Sequence, residues 1–571
     1  MHRPLKVYAF DPARGRHKHN QLTVKVRHEA LAPGPVGEMV AIVDYDATHD
    51  CYYRAVDLDD RAVLLNGGLE PSETDPRFHQ QMVYAVVMET IRRFEFALGR
   101  RVSWRRDLRR RAEPYHGKLR ILPHGLQEAN AWYDPDLRAL VFGYFAAPEG
   151  DWRGQLLFTC LSHDIVVHEA THALVDGLRE HFSEPTSADT AGFHEAFADL
   201  VALFQHFSLK DSLVETVRRG GGLIHRPRLP PRVEPAADGP RIAAEIGENN
   251  PLVELARQFG EGLGMRAALR SALGTVPDPR ALASAVEPHE RGALLVAAVF
   301  DAFFTVYLRR TADLLRMGKA ARWVSEGDVH PDLAVRLAGT AAKTAQHFVN
   351  ICIRAVDYCP PVDLRLGEFL RAMITADVEV VPEDPLGYRA ALIDAFRARG
   401  IAPEGVRSWS EEALRWPPAP ASLGCCPGLP VAAPQVSSPE RQRRYARALV
   451  RFGRDHAGAL GLSPRYPVKA HSFRSIQRVG PDGRVVFELA CELLQQRREQ
   501  AGETPFQFRG GTTVIFDGDG RVRYAIPKPI DSPKRLAEQR EYWQQFLRGR
   551  RLALPSFRSM HRGWSTRTVG S

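Results

Sequence analysis

His168-Glu169-Ala170-Thr171-His172 is the stretch on which the reading of this chain turns. On a helix, residues four apart sit one turn apart on the same face. His168 and His172 then aim two imidazoles at one point with the Glu169 carboxylate beside them, an arrangement that can hold zinc and activate a water. The flanks favour a helix: Ile165-Val166-Val167 leads in, Ala173-Leu174-Val175 leads out, and no Gly or Pro intervenes before Gly177. So apolar a helix is expected to be buried.

Two histidines do not complete a metal site, and the next apolar segment supplies a third donor. In Gly192-Phe193-His194-Glu195-Ala196-Phe197-Ala198-Asp199, Glu195 and Asp199 share one helix face at i, i+4. Glu195 makes a His2Glu set, and three protein ligands leave the fourth tetrahedral position open, as catalysis needs. Asp199 is placed to accept the outer ring N–H of a ligand histidine and fix its tautomer.

With these residues the chain resembles the thermolysin-like gluzincin metallopeptidases, over about residues 78 to 402. Asn130-Ala131-Trp132-Tyr133, followed by Ala139-Leu140-Val141-Phe142-Gly143, is similar to the family's edge strand, which takes the substrate backbone by strand addition. The resemblance implies substrate contacts at Asn130 and Ala131. Glu245-Ile246-Gly247-Glu248 and Leu269-Arg270-Ser271 resemble segments where the family carries a carbonyl-gripping arginine, which points to Arg270. Glu287-Pro288-His289-Glu290-Arg291-Gly292 precedes the apolar helix Ala293 to Tyr307 much as the family's transition-state histidine does, which points to His289. Ala376-Asp377, Tyr388 and Ala395-Phe396, within 366 to 402, resemble the end of the family's helical lobe.

The departures are as specific as the matches. No tyrosine lies between His172 and Glu195, where the family has an oxyanion-stabilising one, and His194 stands where the family has asparagine. Asp164 matches a calcium-binding aspartate, but its downstream acidic counterpart falls near His206, so the calcium site is expected to be lost and Asp164 to cap or hydrogen-bond locally.

Composition bounds the remainder. The chain has 571 residues, which suggests about three domains, and its 44% hydrophobic and 25% charged residues describe a globular protein. No apolar run follows Met1 and the seven scattered cysteines suit a reducing compartment, so a cytoplasmic location is expected. Ala293 to Leu308, the longest apolar stretch, is interrupted by Asp301 and too short for a bilayer, so no membrane association is expected.

The resulting α+β organisation has a β-rich region at 1–77, read as an antiparallel sheet from the runs Val7 to Phe10, Leu22 to Val26 and Val40 to Tyr45. A mixed zincin lobe at 78–200 and a helical lobe at 201–415 flank the expected cleft. A Pro-rich linker at 416–439, containing Cys425-Cys426, leads to a small α+β accessory domain at 440–571. That last segment holds 26 Lys and Arg against 12 Asp and Glu, a net of +14, leaving −5 for the preceding 439 residues. It suggests an acidic partner; Phe506, Phe508, Tyr524, Tyr542, Trp543 and Trp564 interleave the charge, but no nucleic-acid motif accompanies them.

The expected function is that of a zinc endopeptidase: Zn2+ held by His168, His172 and Glu195, Glu169 as general base, His289 and Arg270 stabilising the oxyanion, and a peptide or protein as substrate. The alternative, from the missing tyrosine, is a zinc-binding, weakly active or inactive scaffold controlled through the basic C-terminal domain. An aminopeptidase would need an acidic anchor for the substrate's amino terminus, and no G-x-M-E-N-like segment supplies one.

Overall fold

Met82, Val83, Val86, Val87, Ile91 and Phe94 recur at helical spacing, and they form the buried face of the helix Pro76–Leu98. Asp75 caps its start by accepting from Arg77 N, and Pro76 opens it. Gly99 ends it in the left-handed conformation at φ 65°. The computed structural model describes residues 2–12, 20–105, 115–147, 154–208, 213–214, 217–218, 276–325, 328–429, 439–480 and 483–549. Over these residues the fold is a mixture of helices and sheets, with helix predominating.

Strands His2–Tyr8 and Gln21–Arg27 pair antiparallel, as their alternating pattern implies. The third N-terminal run departs from expectation. Val40–Ile42 leaves that hairpin and pairs in parallel with Leu119–Leu126 in a five-stranded sheet. All three of its residues are buried, as suits a parallel strand covered on both faces rather than a half-solvated antiparallel one, although it ends the strand order. Leu119–Leu126 pairs in parallel with Ala139–Ala146, which pairs antiparallel with both Ala131–Asp134 and Leu156–Phe158. Ala131–Asp134 stands at the sheet's edge.

The helical half packs Pro288–Ala320, Pro331–Ala355 and Leu366–Val378 around Ala188–Phe207, with Tyr388–Ala398 laid on Pro288–Ala320. Pro288–Ala320 is long and apolar enough to cross a membrane, but 78% of its most apolar window is buried inside the protein. Its Asp301 lies 2.7 Å from Arg399, so this is a core helix with an internal ion pair.

The C-terminal region is a four-stranded antiparallel sheet, Lys469–Val479, Val485–Ala501, Thr504–Phe516 and Val522–Lys528 in that order, with helices Pro439–Asp455 and Pro533–Gly549. Side chains alternate between its faces. Ile476, Ala490, Ile515 and Ile526 join the main core, while Leu489, Cys491, Val514 and Phe516 pack with Leu449 and Phe452 in a separate cluster. The sheet is therefore welded to the rest of the chain through one whole face.

The 416–429 part of the expected linker is packed. Trp416 lies beneath the Arg371 guanidinium at 3.9 Å and donates to Tyr358 O, Ala419 N donates to Arg523 O, and Cys426 N donates to Gly520 O. Proline and glycine there interrupt regular structure without preventing burial of Leu423 and Cys426. The aromatics of the basic segment are likewise internal: Phe506, Phe508, Tyr524 and Trp543 are buried rather than displayed for stacking. Much of its positive charge meets acids of the preceding chain, Lys528 with Glu368 at 2.7 Å, Arg535 with Asp363 at 2.9 Å and Arg523 with Glu379 at 2.6 Å.

Gly99 joins the two regions. A Cβ there would lie 1.6 Å from Gln477 O, while Gln477 N donates to Gly99 O at 3.1 Å. Gly117 has a similar backbone, φ 85°, with open space around it. Gly99→Ala is expected to cost more than the roughly 1–2 kcal/mol of left-handed strain that Gly117→Ala bears. Denaturant midpoints measure both, and equal shifts would mean that the Gln477 contact has no weight.

Candidate metal centre

Helix His163–Leu178 carries His168, Glu169 and His172, and helix Ala188–Phe207 carries His194, Glu195 and Asp199. All six side chains are buried. His168 Nε2 and His172 Nε2 face each other at 2.9 Å, and Glu195 Oε2 lies 3.6 and 3.8 Å from them. A point equidistant from the three donors is about 2.0 Å from each, which is the bond length of a first-row metal dication to nitrogen or carboxylate oxygen. The donor chemistry and the spacing therefore fit a metal ion.

The outer ring nitrogens are held from behind. His168 Nδ1 lies 2.9 Å from Asp199 Oδ1. His172 Nδ1 lies 2.8 Å from His194 Nδ1, with the rings stacked at 21°. Each contact ties down Nδ1 and points Nε2 at the centre. The role of His194 was not legible in the sequence, where it registered only as a departure from asparagine; its place next to Glu195 was the one available signal. Burial opposes charge on His168, but Asp199 and Glu195 outweigh it and hold the imidazole well above its ordinary range. Burial pushes the Asp199 carboxyl up to about 6. Asp199→Ala and His194→Ala are each expected to weaken metal binding by roughly 10–100-fold. Chelator competition measures this, and unchanged affinity in both variants would remove these side chains from the site's support.

Edge strand Ala131–Asp134 packs over helix His163–Leu178, with Tyr133 Oη donating to Asp176 Oδ2 at 2.8 Å. Asn130 is buried just before it. Its carboxamide oxygen accepts from Ala131 N, and its carbonyl accepts from Gly143 N and Thr159 Oγ1. Asn130 therefore shapes the start of the strand with both its oxygens.

His289 is half-buried in the first turn of Pro288–Ala320. That turn lies against the start of the Glu195 helix, so closely that a Cβ on Gly192 would be 2.5 Å from Pro288 O. Gly292 meets Gly192 O and Ala196 from the other side. Two glycines thus let the His289 turn rest directly on the helix bearing Glu195. Arg270 and the Glu245-Ile246-Gly247-Glu248 segment lie outside the described residues.

Asp164 corrects an expectation. It does not act only locally but accepts from His206 Nδ1 at 3.0 Å, joining the two helices that carry the donor triangle. Burial would raise its pKa; His206 and His163 outweigh that and hold it at about 2. The residue at the position of the missing acid is thus its partner.

No family model matches the chain. A stretch of 95 residues is 32% identical to erythronolide synthase EryA3 of Saccharopolyspora erythraea. That stretch is 17% of this chain and 3% of the synthase, a share too small to carry an assignment.

Proposed function

We propose that this chain is a zinc-dependent peptidase that hydrolyses peptide bonds with Glu169 as general base, in a two-lobed gluzincin-like framework. The observation that carries the reading is the triangle of His168 Nε2, His172 Nε2 and Glu195 Oε2, with Glu169 buried next to it on the same helix. Zinc, when bound there, supplies Lewis acidity that polarises a carbonyl and acidifies water. Glu169 takes the proton of the attacking water and returns it to the leaving amine, so the peptide C–N bond breaks as the new C–O bond forms. Asp199 and His194 hold the two imidazoles in one tautomer throughout.

Ala131–Asp134 ends the strand order of its sheet, and an extended peptide pairing with it would lay its backbone beside the helix. The resemblance proposes His289, whose turn rests on the helix bearing Glu195, and Arg270 as donors to the developing oxyanion. Incubation of zinc-loaded protein with a quenched-peptide pool tests the reading, with Glu169→Ala and a chelated sample as controls. Cleavage lost in both controls supports it. One bound zinc with no cleavage by wild type would favour instead the scaffold reading that the missing tyrosine suggests.

A further inference from the structure

Outside this site, three other side chains with metal-binding chemistry meet in the core. His79 comes from the first turn of Pro76–Leu98, His124 from strand Leu119–Leu126, and Cys160 from the short turn Thr159–Leu161. They are 1%, 1% and 0% exposed, and one donor atom of each lies within 4.8 Å of the other two.

The hydrogen bonds give this cluster a direction. His124 Nδ1 lies 2.7 Å from Asp44 Oδ1, and Asp44 Oδ2 accepts from Gln80 Nε2 at 2.8 Å. Gln80 is fixed in turn by accepting from Val56 N. A neutral His124 that donates Nδ1–H to this anchored carboxylate presents its Nε2 lone pair on the opposite side. There it faces His79 Nδ1 at 2.8 Å. Nε2 of His79 is buried and makes no hydrogen bond among the described residues. With the ring proton on Nε2, the Nδ1 lone pair also points into the gap. Two lone pairs at this distance repel unless a cation or a shared proton sits between them.

The surroundings favour the cation. Phe158 stands edge-on to His79 at 4.7 Å and to His124 at 5.6 Å, and Tyr53 covers His124 at 4.6 Å. Such walls keep water away, and burial drives the Cys160 thiol well above its ordinary pKa. A bound cation reverses that penalty, because a thiolate beside it is neutralised on the spot.

We propose that His79, His124 and Cys160 form a second metal site for a thiophilic d10 cation, Zn2+ or Cu+, with Asp44 orienting His124. Binding releases the Cys160 proton to solvent and leaves a thiolate, two neutral imidazoles and the metal. The site ties a long helix, the central sheet and the lead-in to His163–Leu178 together, so its role is structural. It does not depend on the peptidase reading.

The test is titration of the metal-free full-length chain with Co2+. The His2Glu centre has no sulfur, so a thiolate-to-cobalt charge-transfer band in the near ultraviolet reports the second site alone. We expect that band in wild type and in Glu195→Gln, its loss in Cys160→Ser, and a fall from two bound metals per chain to one in either variant. Titration with Zn2+ and with Cu+ against a cuprous chelator tells which ion it prefers. A folded wild type that gives no thiolate band and takes up no Cu+ would overturn the proposal, since His124 would then hold a proton between its ring and His79. His79→Gln, which keeps the thiol, gives the same reading should Cys160→Ser not fold: its band must be lost or shifted, and an unchanged band overturns the site.

Discussion

Glu169→Gln is expected to lower kcat by about 10²–10⁴-fold, the range ascribed to a positioned general base, while leaving metal content unchanged. Glutamine keeps the shape and the hydrogen-bonding reach of glutamate but takes no proton. Glu169 faces a different task from its neighbours: His168 and His172 form the donor triangle with Glu195, whereas Glu169 is buried beside them without belonging to it. A metal assay and a peptide assay on the same sample separate the two effects. A variant that has lost its metal would make Glu169 part of the site's framework. One that cleaves like wild type would end the general-base reading. Glu195→Gln is the counterpart, since it is expected to lose metal affinity and activity together.

Arg179→Met is expected to destabilise the protein by about 3–5 kcal/mol, the cost of breaking a buried ion pair from one side. Arg179 is 1% exposed at the end of helix His163–Leu178. Its guanidinium donates to Glu492 Oε1 at 2.5 Å, to Val356 O and Asp357 O at 2.9 Å, and to Thr513 Oγ1 at 3.2 Å. Beside it, Arg100 grips Asp357 with two bonds of 2.5 and 2.7 Å. Among the described residues, the single change leaves Glu492 with only Ser472 Oγ and Arg474, the latter 3.8 Å away. Replacing both partners, Arg179→Met with Glu492→Leu, should cost less than the two single changes summed, because neither member of the pair is then left facing a lost partner. Urea unfolding measures both, and a double variant as damaged as the sum of two singles would show that the pair does not act as a unit.

The same pair sets a pH dependence. Burial would raise the Glu492 carboxyl, but Arg179 and Arg474 outweigh it and hold it at about 2. A carboxyl held below its unfolded value adds stability above the ordinary glutamate range, and that contribution fades as pH falls from there toward 2. The stability gap between wild type and Glu492→Gln is therefore expected to be full at pH 7 and to narrow below about pH 4. A gap that widens on acidification would contradict the assignment.

The local elements were legible because their causes are local. The repeat from Met82 to Phe94 and the stop at Gly99 mark a helix read as starting at Phe78, which Asp75 and Pro76 in fact open one half-turn earlier. Strand pairs form where turns are expected, Lys469–Val479 with Val485–Ala501 and, across Asp517 to Gly520, Thr504–Phe516 with Val522–Lys528; Pro481 and Asp482 lie outside the described residues. The donor set was legible for the same reason, since two i, i+4 pairs need only two helices to exist. Their meeting is a tertiary fact, yet the chemistry of the residues anticipated it.

What escaped the sequence involves pairings whose energy comes from remote chain. Val40–Ile42 looks like any short β run, and its parallel partner is decided by a strand 79 positions later in register, Val40 opposite Leu119. The 416–429 segment has the composition of a linker, and only the sheet edge at Gly520 to Arg523 makes it part of a core. The basic C-terminal charge suggested an outside partner, whereas Glu368, Glu379 and Asp363 of the same chain meet a share of it.

By itself, then, the sequence determined the periodicity of the helices and a set of side chains, His168, His172 and Glu195, that could hold a metal ion, because periodicity and ligand spacing are short-range. The tertiary structure decided which nitrogen faces the centre, through Asp199 and His194, and which strands share a sheet. It also decided that His79, His124 and Cys160 meet at all. Those outcomes depend on burial and on hydrogen bonds between segments far apart in the chain, whose free energy exists only once the fold has closed around them.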